Sequence, residues 1–244
     1  MALAGKTNVV IAGDNWCPIN CAQNSENKGF MIDVATQVFS DLGYQVKYIE
    51  MPWSRAVDLA RKGEIDAVVG AFKGDAPDFI FPQRPLLKVS SNSFFTKTAS
   101  NWQYKNLTSL YPITLGTIKG YDYGDELNSY IDRFSEVKND KLVMLHGNDA
   151  VKRNIQLLLR DRIDVFVESA PVFWYQAKLL GVAGQVKQLN SMSKAEPCYI
   201  AFSPNNINSS KLATMLDEGI LRLQAQGIIK ASAQLYGLPP SSYQ

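Results

Sequence analysis

The stretch "RAVDLARKGEIDAVV", Arg55 to Val69, returns 98 residues later as "RNIQLLLRDRIDVFV", Arg153 to Val167. In both copies the Arg is followed by Leu four residues on (Leu59, Leu157), by Ile ten on (Ile65, Ile163) and by Asp eleven on (Asp66, Asp164). Each copy carries a short helical pattern, then a polar turn, then Ile-Asp leading into an apolar run of strand type. The simplest meaning of the echo is one βαβ unit built twice, once in each of two lobes.

The flanks agree. "NVVIAG" (Asn8 to Gly13) is a short apolar run ending at glycine and predicts a buried strand. "KGFMIDVATQVFSDLG" places Phe30, Val34, Val38 and Leu42 at helical spacing before Gly43. "YQVKYIEM" predicts a second strand, "RAVDLARKG" a helix closed by Gly63, and "DAVVGA" a third strand. After Pro85 the segment "KVSSNSFFTKT" is extended and Leu107 to Leu110 a helical turn. The grammar then restarts with "ITLGTI" (strand), "GDELNSYIDRF" (helix), "KLVML" (strand), "DAVKRNIQLLLR" (helix), "IDVFVES" (strand) and "APVFWYQAKLLG" (helix). A last extended run, "PCYIAFSP", precedes two helices, "SSKLATMLDEGILRLQAQG" and "IIKASAQLYG", as expected if the chain crosses back to complete lobe one. Lobe one should span residues 1–96 plus 200–244 and lobe two residues 97–199, with the crossovers near 94–98 and 198–202 forming a hinge.

Composition narrows the functional classes. With 46% hydrophobic and 20% charged residues the chain can bury a core and has no disordered character. The net charge of +2 is dispersed, which argues against nucleic acid as a partner. No run approaches the ~18 apolar residues of a membrane helix. Ala2-Leu3-Ala4 has the small-x-small form found at signal-peptidase sites, pointing to a secreted, periplasmic protein. Cys17 and Cys21 are close enough to bridge a loop, with three reduced thiols the alternative and Cys198 left over. Nothing calls for a metal or cofactor, and a monomer is expected.

Taken in order, these pieces resemble the extracellular solute-binding proteins of family 3. The resemblance rests on "NWCPIN", "GFMIDVATQVFSDLG", "PWSRAVDLARKGEIDAVVG", "ITLGTIKGYDYG", "DRIDVFVES" and "LDEGILRLQAQGIIKASAQLYG". It implies a type II periplasmic-binding-protein fold, α/β, with two lobes that are each a mainly parallel sheet flanked by helices. It also implies a receptor that captures a small polar solute, an amino acid or a related compound, and serves the membrane permease of an ABC importer. The competing readings are an enzyme on the same scaffold, of dehydratase or cell-wall lytic type, and a sensing domain for a signalling partner. No nucleophile-base or paired-carboxylate signature favours the enzyme, for which Glu168, Asp149 and His146 are the available groups.

In open α/β sheets ligands sit outside the carboxyl ends of the strands. That rule selects Trp16, Trp53, Arg55, Phe72 and Lys73 in lobe one. In lobe two it selects Lys119, Tyr121, Asp122, Tyr123, His146, Glu168 and Ser169. Trp16 and Trp53 match positions where the family packs aromatics on its ligand, and Gly120-Tyr121-Asp122 aligns with its anion-receiving turn. Two departures stand out. The family's carboxylate-clamping Arg falls on Asp75 or Asp78, leaving Lys73 and Arg84 as nearby cations, and its amino-binding Asp aligns with Ser169, one place after Glu168. The sequence thus predicts a ligand that need not be a standard amino acid. Asn148 and Asp149 are expected to cap the helix that follows them.

Overall fold

The computed structural model describes residues 8–89, 93–135, 140–191 and 195–243. The Ala2-Leu3-Ala4 segment lies outside them. The chain divides into two compact units, residues 1–88 with 197–244, and residues 89–196.

In the first unit β1 (Asn8–Gly13), α1 (Phe30–Asp41), β2 (Gln45–Glu50), α2 (Trp53–Arg61) and β3 (Ala67–Ala71) alternate as the hydrophobic periods require. With β4 (Leu87–Val89) and the late strand β10 (Glu196–Phe202) they give one sheet, ordered β2-β1-β3-β10-β4. β1 pairs in parallel with both β2 and β3, whereas β10 runs antiparallel to β3. Helices α6 (Ser209–Ala225) and α7 (Ile228–Leu235) pack against α1.

The second unit repeats the plan. β5 (Ser93–Lys97), β6 (Leu115–Ile118), α3 (Asp125–Ser135), β7 (Leu142–Leu145), α4 (Ala150–Leu159), β8 (Val165–Glu168), α5 (Ala170–Leu179) and β9 (Val186–Ser191) form a sheet ordered β7-β6-β8-β5-β9. β6 is parallel to β7 and β8, and β5 is antiparallel to β8 and β9. The expected two-unit α/β fold is therefore present. β5 is paired on both sides within this second sheet, whereas the sequence division carried lobe one through to residue 96. β9 has no counterpart in the sequence reading, because "VKQLNS" mixes polar and apolar residues without a clean alternation.

The sequence echo has the same structural content in both places. The N–H of Asp66 donates to Val10 O at 3.0 Å, and the Asp66 carboxylate accepts from Val10 N–H at 2.7 Å. The N–H of Asp164 donates to Thr114 O at 2.9 Å, and its carboxylate accepts from Thr114 N–H at 2.8 Å. The preceding helices also close alike: Glu64 N–H donates to Leu59 O at 3.0 Å and Arg162 N–H to Leu157 O at 2.9 Å. The turn between helix and Ile-Asp needs a left-handed residue. Gly63 (φ 77°) supplies it in the first copy and Asp161 (φ 54°) in the second, Asp being among the few side chains that tolerate this region.

Packing of the first unit is tightest where α1 meets α6. A Cβ added at Gly219 would lie 2.6 Å from Val38 Cγ2 and 2.9 Å from Val38 Cβ, and Val38 is fully buried. Gly219→Ala should therefore cost about 1–3 kcal/mol by overpacking. In urea unfolding, the Gly219→Ala/Val38→Ala double variant should lose less than the sum of the two single losses. Strict additivity would mean that the close approach is not what selects glycine there.

Candidate functional site

At the carboxyl end of β1 the chain enters an ordered loop, residues 14–29. Trp16 N–H donates to Asn20 O at 2.8 Å, Cys21 N–H to Lys28 O at 2.8 Å, and Phe30 N–H to Pro18 O at 3.0 Å. Gly29 makes this packing feasible. Its φ of 101° suits glycine alone, and a Cβ there would lie 2.6 Å from the Asn20 Cα and from Ile19 O. Cys17 and Cys21 are joined by a disulfide inside the same loop. Asn20 is fully buried, and its Nδ2 donates to Asp14 O at 2.6 Å. From the helical side Tyr236 completes the support: its hydroxyl donates to the Asp33 carboxylate and accepts from Gly29 N–H at 3.1 Å.

The lobe-one candidates are in unequal states. Trp16 is 5% exposed and meets Phe72 edge to face, with ring centroids 6.1 Å apart. Trp53, the first residue of α2, is 6% exposed. Both tryptophans thus contribute mainly packing, with only a sliver of each ring at the surface. Arg55 is exposed, and the Lys73 ammonium sits 5.8 Å from the centre of the Tyr199 ring. The two carboxylates at the family's Arg position have internal duties. Asp75 accepts from Phe72 N–H at 2.8 Å, closing the turn after β3. Asp78 binds Arg61 in a fork of 2.7 and 2.9 Å, and this hydrogen bonding holds its carboxyl below the usual range.

In the second unit, Lys119 and Gly120 are exposed where β6 ends. Tyr121 is half-buried, 6.2 Å ring to ring from Tyr123. Tyr123 is buried, and its hydroxyl accepts from Ile118 N–H at 2.8 Å, so its role is to brace the strand end. Asp122 accepts from Gly124 N–H at 2.8 Å and from Asn128 Nδ2 at 2.6 Å, organising the turn into α3. With Asp125 and Glu126 in the first turn of α3, that helix start is already faced by the chain's own carboxylates.

His146 is exposed just beyond β7, and its carbonyl accepts from Arg153 at 3.3 Å. The expected capping by Asp149 is replaced: it stands at the N-cap of α4 without a side-chain cap bond, and its carboxylate meets Arg153 at 3.4 Å instead. Asn148 is exposed. Glu168 ends β8 on the face of Phe166, whose ring packs on Phe173 of α5, and it is 1% exposed, its Oε1 accepting from Ser169 N–H at 2.7 Å. Ser169 is fully buried as well. Neither the Glu168 carboxylate nor the Ser169 hydroxyl is presented at the surface. The sequence reading missed Ser93, which pairs across the sheet with Glu168 and accepts from Gln188 Nε2 at 3.1 Å; a serine in the polar run that precedes Phe94 gives no signal for this. Among the described residues no group of three His, Cys, Asp or Glu is placed to hold a metal ion.

Two sheets of this order, each with three parallel strands and an antiparallel strand flanking the third, define the type II periplasmic-binding-protein class. The chain belongs to the bacterial extracellular solute-binding proteins, family 3, whose profile matches residues 9–238. Among solved structures it is similar to an ABC uptake transporter substrate-binding protein from Streptococcus pneumoniae with bound histidine, at 19% identity and a TM-score of 0.78, covering 97% of this chain and 95% of that one. It is similar to an ancestral arginine-binding protein bound to arginine, at 19% identity and a TM-score of 0.74, covering 95% and 98%. It is also similar to a histidine kinase sensor domain resembling periplasmic binding proteins, at 17% identity and a TM-score of 0.76, covering 96% and 99%. These similarities carry the fold. No curated protein is similar to the chain in sequence.

The loop's two supports are separately testable. Replacing both Cys17 and Cys21 by Ser should lower unfolding stability by about 2 kcal/mol, the entropy of closing so short a loop. A reductant should then have no further effect on the variant, since Cys198 is unpaired and buried. Asp33 is half-buried, and burial raises its carboxyl pKa despite the Tyr236 hydrogen bond and Lys28. A raised folded pKa means that the stability it contributes is present below the usual carboxylate range and is lost as pH rises through the folded value. Asp33→Asn should compare more favourably with the parent near neutral pH than at about pH 4, read as the melting-temperature difference. The opposite sign would mean that the charged form is the one the fold prefers.

Proposed function

We propose that this chain is a periplasmic solute receptor that takes up a small polar molecule between its two units by hinge closure and serves an ABC importer. The single observation behind this reading is the family match over residues 9–238, on a chain that builds the βαβ unit twice. The proposed contact residues are Trp16, Trp53, Arg55, Phe72 and Lys73 of the first unit, with Lys119, Tyr121, Asp122, Tyr123, His146, Glu168 and Ser169 of the second. Export by a signal peptide and a monomeric state belong to the same proposal. No helix among the described residues is long and apolar enough to cross a membrane, in keeping with a receptor that works beside a separate permease.

A sensing role uses the same pocket with a different downstream partner, and similarity to the kinase sensor domain favours it at the level of fold. The enzyme alternative finds no support in the candidate acids and bases. Glu168 is buried against Ser169 N–H, Asp149 is paired with Arg153, and His146 is exposed.

A ligand that binds only the folded, closed form stabilises it by mass action, by about 2.7 kcal/mol at a hundred times the Kd. A thermal-shift panel of amino acids, organic acids, polyamines and sugars should therefore contain compounds that raise the melting temperature. A panel with no shift removes the receptor reading, and turnover of any compound during the measurement replaces it with the enzyme.

A further inference from the structure

The loop that follows β1 carries a fully buried amide side chain, that of Asn20. It stands between the carboxyl ends of two neighbouring parallel strands, where glycine on each side leaves it room. A Cβ added at Gly13, the last residue of β1, would lie 3.3 Å from Asn20 Nδ2 and 2.7 Å from Val69 Cγ1. One added at Gly70 of β3 would lie 3.2 Å from Asn20 Oδ1. Asn20 Nδ2 donates to Asp14 O at 2.6 Å, whereas Oδ1 has no hydrogen-bond partner among the described residues. A buried amide oxygen without a donor is costly, so stability is a poor reason to keep this residue there.

The residue that Asn20 organises is Trp16. Trp16 N–H donates to Asn20 O at 2.8 Å and Asn20 N–H to Trp16 O at 3.4 Å, joining the two in a short antiparallel bridge. Their side chains meet over one spot: the position of a Gly70 Cβ lies 3.2 Å from Asn20 Oδ1 and 3.4 Å from Trp16 Cε3. The indole is thereby seated on the end of β3, with Phe72 edge to face on its other flank. Since Trp16 is 5% exposed, a small shift of the ring decides how much of it can be touched at all.

We infer that Asn20 is a positioning residue for the solute site of the first unit. Without touching the solute, it holds the Trp16 indole against the end of β3. This rests on the receptor reading, in which Trp16 is a contact residue, and deepens it. The Cys17–Cys21 disulfide closes the backbone of the same turn, and the Asn20 amide ties that turn to the end of β1 through Asp14 O.

The experiment has two readings on the full chain. The first is acrylamide quenching of tryptophan fluorescence without solute, the Trp16 contribution being the difference between each chain and its Trp16→Phe counterpart. Asn20→Ala should make that contribution more quenchable. Gly219→Ala, a destabilising change at the contact of α1 with α6, should leave it unchanged. The second is isothermal titration with whichever of glutamate, lysine, succinate, putrescine and glucose, or of the wider thermal-shift panel, binds the parent chain. Asn20→Ala should weaken that binding about ten-fold, as expected when an aromatic anchor is displaced, and Gly219→Ala should not. Asn20→Ser, which leaves a smaller gap, answers both questions if the alanine chain does not fold. Quenching that does not change, binding equal to that of the parent, or equal losses in the Asn20 and Gly219 variants each overturn the inference and leave the receptor reading standing. A parent chain that binds none of these compounds overturns both.

Discussion

One aspartate in each unit holds three strands together, and the sheet depends on it. Asp66 exchanges two hydrogen bonds with Val10 of β1, while its carbonyl accepts from Ser203 N–H, just past β10, at 2.8 Å. Asp164 exchanges two with Thr114, at the entrance to β6, and its carbonyl accepts from the Thr96 hydroxyl of β5 at 3.0 Å. A charged acceptor strengthens each contact. Because the clamp sits at the entrance of β3 and of β8, it sets the register of the parallel pairs Ile11 with Ala67 and Leu115 with Val165. A slip of one residue would turn every side chain of the central strand to the wrong face.

The same physics accounts for how much could be read from the chain alone. Helical and strand periods, with Gly or Asp at the left-handed turn and Ile-Asp behind it, are local signals, and they located β1 to β3 and β6 to β8 with their helices. The return of the chain through β10 was legible because an isolated apolar run after a complete second unit has nowhere else to bury both faces. β9 was not legible, since an edge strand buries little and "VKQLNS" needs no alternation.

Candidate site residues were legible as positions and illegible as states. The rule of strand ends picks out Tyr123 and Trp16 beyond strands and Glu168 at the end of one, yet it cannot say that the Tyr123 hydroxyl is engaged by Ile118 N–H or that Glu168 is buried. Those outcomes depend on which neighbour a side chain meets across the sheet, and no periodicity encodes that. Asp75 and Asp78 illustrate the same limit. In sequence they read as replacements for a ligand-clamping Arg, whereas in space one closes its own turn and the other pairs with a helix residue 17 positions away.

The two edges of each sheet have been put to separate uses. At the amino ends of the strands the copies remain alike down to individual bonds, since the clamp tolerates only a short acid in one geometry. At the carboxyl ends they differ: the first unit carries a disulfide-bridged loop with the nearly buried Trp16, and Trp53 at the start of α2, and the second a tyrosine-rich turn ordered by Asp122 and Asn128. Groups that are distant and share no partner contribute independently to stability. Side chains at the carboxyl ends could therefore vary without loosening the frame, because no bond of the Ile-Asp clamp passes through them.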